Sequence, residues 1–251
     1  MINKIVLTPE RIFLFDIQDK KILLFTRRGK FITDIRPHGR GPGEWLGITD
    51  FTVDETDREI IVTADRPYKF LYYDYNGNFL REKTSEAFYT EITRTTDNIL
   101  AINSKVLEPK HYLSLLNEED HRITVAKKIP LAFTYRGEFR CRGSYLLKSE
   151  HLYFTQNGDY TIYSWDNNRI KPVVTVDFGK YSYNPTQLNE EPHAPATRNK
   201  VLSIINVKEI RSNLFFNTNK IGLFVYNKTR HQIVHAYGCL LYTSDAADEA
   251  R

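Results

Sequence analysis

The sequence predicts an all-β protein built from repeated units of short antiparallel strands, and three observations lead to that prediction. Aromatic residues make up 13% of the 251 residues, and such side chains pack well on the half-buried faces of sheets. Apolar residues alternate with polar ones in short runs that end in turn residues, as in β-strands. The runs also recur at a fixed interval along the chain, which is typical of repeat architectures.

Two units near the start of the chain show the repeat most clearly. Each contains two strands followed by a Gly-x-Phe segment, at 11–16, 21–25 and 28–32 in the first unit and at 59–65, 69–73 and 76–80 in the second. Gly29 corresponds to Gly77 and Phe31 corresponds to Phe79, both at an offset of 48 residues. A period in the forties with several short strands per unit indicates a β-propeller of four-stranded antiparallel blades.

Turn residues between the strands support this assignment. Asp16 and Asp65 each end a strand, where the carboxylate can accept hydrogen bonds from nearby backbone N–H groups and form a turn. Asn76-Gly77 and Asn157-Gly158 favour two-residue hairpin turns, because both positions of such a turn can adopt positive φ.

Three further units bring the predicted total to about five. Their strands are expected at 99–103, 112–116 and 124–128, at 152–155, 160–163 and 170–176, and at 214–216 and 223–226. A proline-containing segment, residues 180–200, interrupts the pattern and predicts a long loop between the fourth and fifth units. Loops of this length are usually functional or disordered, and both alternatives remain open.

The C-terminal segment has a different origin from the rest of the chain in this interpretation. Residues 239–249 resemble, residue for residue, the translation of a transposase adapter used in sequencing libraries. We therefore expect a single propeller domain over residues 1–238 and a non-native adapter-derived tail over residues 239–251. Residues 1–238 contain 34 basic and 28 acidic residues, a net charge of +6, and one cysteine, Cys141. A single cysteine supports neither a disulfide framework nor a cysteine-based metal site.

The run Gly39-Arg40-Gly41-Pro42-Gly43-Glu44-Trp45, followed by Asp50-Phe51 and Asp54, resembles the six-bladed β-propeller family of exported bacterial lipoproteins. The blade pattern is similar to that of the wider NHL-repeat class. The resemblance implies a ring of six blades, of which about five are present, and no established catalytic residues. It also implies a periplasmic or cell-surface protein held to the membrane only through a lipid anchor. The start of this chain shows neither the signal peptide nor the lipid-bearing cysteine of such an anchor.

The glycine-rich run could in principle hold a phosphate, with Arg36, His38 and Arg40 supplying positive charge. A phosphate loop needs a helix N-terminus after it, whereas residues 48–53 have the pattern of a strand. The glycines are better explained by a tight crossing between two blades, in which they allow close approach of the backbone.

Neither metal binding nor catalysis has a strong signature. His231 and His235 lie on a predicted strand, where residues four apart are separated by roughly 13 Å and cannot share one ion. Asp50 and Glu91 on predicted inner strands could face a central channel as in propeller enzymes, or could be solvated or hydrogen-bonded acids. We therefore expect no catalytic residues, no metal and no cofactor. The basic residues are dispersed, so no nucleic-acid partner is expected.

These observations predict a non-enzymatic binding or scaffold propeller, and the alternative is a propeller hydrolase or lyase with a site at the channel mouth. The expected ligand is a polar or anionic small molecule, glycan or peptide. The candidate binding residues are the cations and aromatics of the glycine-rich turn and of the 180–200 loop: Arg36, His38, Arg40, Tyr181, Tyr183 and His193. The competing interpretation is that the loop is disordered and the turn is purely structural.

Overall fold

The computed structural model describes residues 2–102, 112–130, 143–156, 158–166, 169–182, 199–220 and 222–236. These residues form twenty β-strands and a single 3₁₀ turn, Gly179–Tyr181, and none of them is α-helical. The chain divides into two compact units, Met1–Glu138 and Phe139–Arg251. The predicted all-β class is confirmed. The boundary at Gly238 and the predicted tail fall outside the described residues.

The first unit contains three blades, each made of four consecutive antiparallel strands. Blade 1 consists of β1 (Ile2–Leu7), β2 (Arg11–Asp16), β3 (Lys21–Thr26) and β4 (Phe31–Ile35). Blade 2 consists of β5 (Ile48–Asp54), β6 (Glu59–Asp65), β7 (Tyr68–Asp74) and β8 (Phe79–Ser85). Blade 3 consists of β9 (Glu91–Arg94), β10 (Ile99–Ile102), β11 (Tyr112–Glu118) and β12 (Arg122–Pro130). The last strands of blades 2 and 3 share two parallel residue pairs, which join the two blades into one eight-stranded sheet.

Both faces of blade 2 are buried. On β7, Leu71 and Tyr73 pack in the hydrophobic cluster shared with blade 1, whereas Phe70 and Tyr72 pack in the cluster shared with blade 3. Successive side chains of a strand point to opposite faces, so one apolar run supplies both clusters. Blade 2 is therefore packed between its two neighbours, and no blade could bury its apolar faces alone.

The second unit contains the remaining two blades. Blade 4 consists of β13 (Leu146–Lys148), β14 (Leu152–Gln156), β15 (Asp159–Asp166) and β16 (Arg169–Thr175). Blade 5 consists of β17 (Ile204–Ile210), β18 (Asn213–Thr218), β19 (Leu223–Asn227) and β20 (Gln232–Ala236). One hydrophobic cluster joins them and includes Tyr153 and Ile162 from blade 4 with Leu214 and Phe216 from blade 5.

The 48-residue repeat is confirmed at the level of backbone geometry. Both β3–β4 and β7–β8 contain the same irregularity in strand pairing, and Gly29 and Gly77 both have positive φ, at 83° and 85°. The prediction of a two-residue turn at Asn76-Gly77 is wrong. Asn76 is not among the residues with positive φ, and the loop is a three-residue connection that ends in the left-handed glycine.

The two aspartates predicted to form turns behave differently. Asp16 Oδ1 accepts the N–H groups of Gln18 and Asp19, at 3.1 and 3.3 Å, as predicted. Asp65 makes no such turn, and that prediction is wrong. The residue two positions after it is Pro67, which has no N–H to donate.

The first strands of three blades, β1, β13 and β17, have no counterpart in the sequence-based prediction. β13 is only three residues long. β1 and β17 carry buried polar side chains, Lys4 and Glu209, which interrupt the apolar alternation. Their burial depends on partners in other blades, which local periodicity does not reveal.

Candidate functional site

The glycine-rich loop between β4 and β5 is closed by hydrogen bonds to its own N–H groups. Glu44 Oε2 accepts the Gly41 N–H at 2.8 Å, and the Trp45 carbonyl accepts the Gly39 N–H at 3.1 Å. Glu82 Oε2, on β8, accepts the Gly43 N–H at 2.9 Å. These N–H groups are already bonded, two of them to carboxylates, so the loop does not form a phosphate cradle.

Close packing explains the glycines at two positions of this loop. Gly43 has a φ of 75°, and a Cβ there would lie 3.0 Å from the Phe79 ring. A Cβ on Gly39 would lie 2.0 Å from Glu44 Oε2. The predicted tight crossing between two blades is confirmed, because the loop leads from blade 1 to blade 2 with its backbone against blade 2.

A buried lysine fixes the loop to blade 2. Lys69 Nζ donates to Glu82 Oε2 at 2.8 Å and to the Gly41 carbonyl at 3.3 Å. Burial acts to raise the pKa of Glu82, but the hydrogen bonds from Lys69 and from the Gly43 N–H prevail and hold that pKa below its ordinary value. Glu82 therefore stays ionised and keeps the loop in one conformation.

The three predicted cations of this segment are exposed. Arg36 has 60% of its side chain exposed and lies with its Nε 3.5 Å from Asp34 Oδ2. The side chains of His38 and Arg40 form no hydrogen bond or ion pair with any other described residue. They remain available to a ligand in solution.

A cavity of about 540 Å³ lies between the end of β4, this loop and the β7–β8 hairpin. It is lined by Asp34, Ile35, Arg36, Pro37, Pro42, Gly43, Glu44, Tyr73, Gly77 and Phe79. Arg36 is the one predicted binding residue in this lining. Phe79, which is 41% exposed, was recognised in the sequence as a repeat position but not as a binding residue. Its exposure depends on the neighbouring blade and has no signal in the local sequence.

The other predicted binding residues belong to the second unit. Tyr181 ends the 3₁₀ turn, is 51% exposed, and has Lys180 Nζ 5.2 Å from its ring centre. Tyr183 and His193 lie outside the described residues, as does most of the 180–200 loop. A joint site of these residues with the glycine-rich turn stays a prediction.

Asp50 is a buried, hydrogen-bonded acid, which is one of the two alternatives that the sequence leaves open for it. Its Oδ2 accepts Lys4 Nζ at 2.8 Å and the Ile92 N–H at 2.8 Å, and Lys4 also donates to the Ile92 carbonyl at 3.0 Å. Both charged side chains are almost completely buried. The pair thus connects β1, β5 and β9, the first strands of three blades, and Glu91 beside it is buried as well.

A second cleft, of about 400 Å³, lies between blades 2 and 3 and is strongly charged. Arg94 forms ion pairs with Asp54 at 2.7 Å and with Glu118 at 2.5 Å. Tyr72 donates its hydroxyl to Glu118 at 2.6 Å, and burial followed by the charge of Glu118 raises the pKa of Tyr72. Arg94 thus ties blade 3 to Asp54 of blade 2, whereas Arg81, the other arginine of this cleft, pairs with Glu59 within blade 2.

In the second unit Glu209 ties blade 5 to blade 4. Its carboxylate accepts hydrogen bonds from Lys228 and, at 2.6 Å, from His151 Nδ1. Burial acts to raise the pKa of Glu209, but hydrogen bonds from Lys228, His151 and Tyr153 hold it below its ordinary value.

The predicted strand between His231 and His235 is present as β20, although His231 itself precedes that strand with a φ of 53°. His231 hydrogen-bonds the Tyr226 hydroxyl at 3.0 Å, and His235 stacks on Phe224 with ring centres 4.2 Å apart. Across the residues that the structure describes, no three His, Cys, Asp or Glu side chains are grouped to hold a metal ion.

Comparisons with known proteins place the chain in a family and identify its fold. A family model described as a domain of unknown function, DUF4934, matches residues 1–244, a span that extends into the predicted tail. No curated protein sequence matches the chain.

Many solved structures resemble this one, among them the following three. A Bacteroides fragilis protein described provisionally as exported has a TM-score of 0.71 and 16% identity, over 93% of this chain and 70% of that one. A protein of unknown function from Bacteroides caccae has a TM-score of 0.56 and 11% identity, over 94% and 81%. The WD40 repeats of RRP9 have a TM-score of 0.56 and 11% identity, over 94% and 79%. At these identities the likeness establishes the fold alone, a β-propeller.

Within the described ranges, no helix has the length and apolar character needed to cross a bilayer.

Proposed function

The chain belongs to the DUF4934 family, and we propose that it is a non-enzymatic binding or scaffold propeller from an exported bacterial lipoprotein. The motif at residues 39–45 and the likeness to a Bacteroides fragilis protein described as exported support this assignment. The same motif and the NHL-like repeat support a ring of six blades.

The observation that carries the proposal is a preformed cavity beside a loop that is held rigidly. The loop is tied to blade 2 by Glu82 and Lys69, and the cavity volume is in the range of small-ligand sites. A rigid site loses little conformational entropy when a ligand binds, so even a few contacts can give useful affinity.

The positively charged side chains at the edge of the cavity favour polar or anionic ligands. Arg36 lines the cavity, and Arg40 and His38 are exposed on the same loop without partners among the described residues. We propose a polar or anionic ligand, a glycan or a peptide, that enters across these side chains.

Glycan and peptide arrays probed with the full chain would test this function. Arg36→Ala and Arg40→Ala should weaken binding of the best array hit several-fold or more. Arg28→Ala is the matched control, since Arg28 is also an exposed arginine but lies beyond the opposite end of β4, roughly 17 Å away at 3.3 Å per residue. Equal losses in all three variants, or no binding to either array, would contradict the proposal. Tyr181→Ala in the same screen tests whether the second unit contributes.

A further inference from the structure

The cavity beside Phe79 has a chemical character that narrows its ligand class, and this inference rests on the binding function proposed above. Three of its lining side chains are charged at neutral pH, Asp34, Arg36 and Glu44, so the formal charge of the lining is negative. Arg40 and His38 do not line it. The cavity itself therefore does not attract an anion, although cations lie at its edge.

Asp34 is a hydrogen-bond acceptor and Arg36 is a donor, and the two side chains do not form a good hydrogen bond with each other. Their closest approach, 3.5 Å, is longer than a good hydrogen bond between a guanidinium and a carboxylate. Neither side chain has another hydrogen-bond partner among the described residues. A ligand hydroxyl between them can donate to the Asp34 carboxylate and accept from the Arg36 guanidinium, which matches the dual character of a hydroxyl.

Phe79 provides an aromatic surface in the lining of the same cavity. Its ring packs edge to face on Tyr73, with centres 5.7 Å apart, and the Tyr73 hydroxyl donates to the Gly43 carbonyl at 2.8 Å. Gly43 in turn borders the Phe79 ring, so the ring is held in place. The negative face of an aromatic ring attracts the weakly positive C–H groups of an apolar surface.

The main chain of the loop disfavours a peptide at this position. Peptides that bind as extended strands need free N–H and C=O groups on the protein. The N–H groups of Gly39, Gly41 and Gly43 are all bonded within the protein.

From this geometry we propose that the cavity binds a neutral saccharide. Its C–H face stacks on Phe79, and its hydroxyl groups bridge Asp34 and Arg36. A sugar ring combines one apolar face with a polar edge, and the lining of the cavity offers an aromatic side chain together with a donor and an acceptor.

The test uses the full chain and three sets of probes: neutral oligosaccharides, sulfated and sialylated oligosaccharides, and peptides. The expected result is binding of a neutral oligosaccharide, measured by calorimetry, that falls at least tenfold in Phe79→Ala. Phe31→Ala is the matched control, because Phe31 occupies the same repeat position and is 52% exposed but does not line the cavity. Binding in this control should not change. Asp34→Asn, which weakens the acceptor, should reduce affinity several-fold.

A second variant distinguishes loss of the binding contact from loss of folding. Phe79→Leu keeps an apolar side chain beside Tyr73 and Gly43 but removes the aromatic face, so it should weaken binding while leaving the thermal unfolding midpoint close to that of the wild type. Binding of a neutral probe that survives both Phe79 variants would overturn the inference. Binding of anionic probes or peptides alone would overturn it and leave the proposed binding function standing. No binding to any probe would overturn both.

Discussion

The β3–β4 hairpin of blade 1 and the β7–β8 hairpin of blade 2 have the same backbone but different surroundings. In each, the glycine N–H donates to the carbonyl of the residue three positions earlier, at 2.9 Å for Gly29 and 3.0 Å for Gly77. A Cβ on Gly29 would meet nothing within 4 Å, whereas a Cβ on Gly77 would lie 2.9 Å from Thr33 Cγ2 of blade 1. The second hairpin is therefore packed against a neighbouring blade, and the first is not.

The phenylalanines of the two hairpins differ in the same way. Phe31 packs on Phe25 of its own hairpin, at 5.5 Å between ring centres. Phe79 packs on Tyr73 of its own hairpin and also on Gly43 of the loop that arrives from blade 1. The repeat therefore sets the backbone conformation of both hairpins. Contacts with the neighbouring blade determine that Phe79, but not Phe31, lines a cavity.

The largest expected difference between the hairpins concerns their glycines. Gly29→Ala should lower the free energy of unfolding by about 1 kcal/mol, because a Cβ disfavours positive φ. Gly77→Ala has the same cost and also overlaps Thr33, so we expect a loss of about 2–3 kcal/mol. Urea denaturation of both variants gives these values. Adding Thr33→Ser, which removes Cγ2, should recover part of the loss in Gly77→Ala alone, and equal losses without recovery would show that the packing contributes nothing.

A smaller difference is expected at the residue that begins each loop. Asp74 accepts the Asn76 and Asn78 N–H groups and the Asn78 side-chain amide, at 2.8, 2.9 and 2.8 Å. Thr26 Oγ1 accepts a single N–H, from Lys30, at 3.1 Å. Asp74→Ala should lower the free energy of unfolding by about 1 kcal/mol and Thr26→Ala by about 0.5 kcal/mol. If Thr26→Ala proved the more destabilising in chemical denaturation, the comparison would be reversed.

The smallest expected effect is the pH dependence of the second hairpin. Burial acts to raise the pKa of Asp74, but hydrogen bonds from Asn78, Asn76 and Gly77 hold it below its ordinary value of 3.8. A lowered carboxyl pKa stabilises the folded state above the ordinary value, and this contribution disappears as pH falls through 3.8 to the folded pKa. The stability difference between wild type and Asp74→Asn should therefore shrink as the pH falls below about 5 and through 3.8. The difference in the free energy of unfolding between wild type and Thr26→Ala should stay constant, since threonine does not titrate in this range. Parallel changes in both variants would show that ionisation of Asp74 is not the cause.

Much of the fold was predictable from local sequence, and the errors have physical causes. The alternation and the 48-residue offset located most strands and the equivalence of the two hairpins. The two-residue turn at Asn76 was wrong because Asn-Gly is compatible with more than one loop length, and Asp74 stabilises the three-residue form. The sequence left open whether Asp50 faces a channel or is hydrogen-bonded, because its partner, Lys4, is 46 residues away on a strand that the apolar pattern does not reveal.

The candidate site was predictable only in part. Arg36, His38 and Arg40 were recognised from a glycine-rich run next to a strand, and the structure leaves all three exposed. Phe79 and the Asp34–Arg36 pair were not recognised. These residues come together because two blades and a loop surround one cavity. The spacing of residues within a single blade does not predict that arrangement.

The sequence by itself determined the all-β class, the four-stranded repeat and the equivalence of the two hairpins, because these depend on contacts between residues close together along the chain. The tertiary structure alone decided which polar side chains are buried as ties between blades, and which of two equivalent phenylalanines lines a cavity. The reason is that both outcomes depend on packing between blades, where a residue meets partners some 40 or more positions away and its exposure is set by them rather than by its own neighbours.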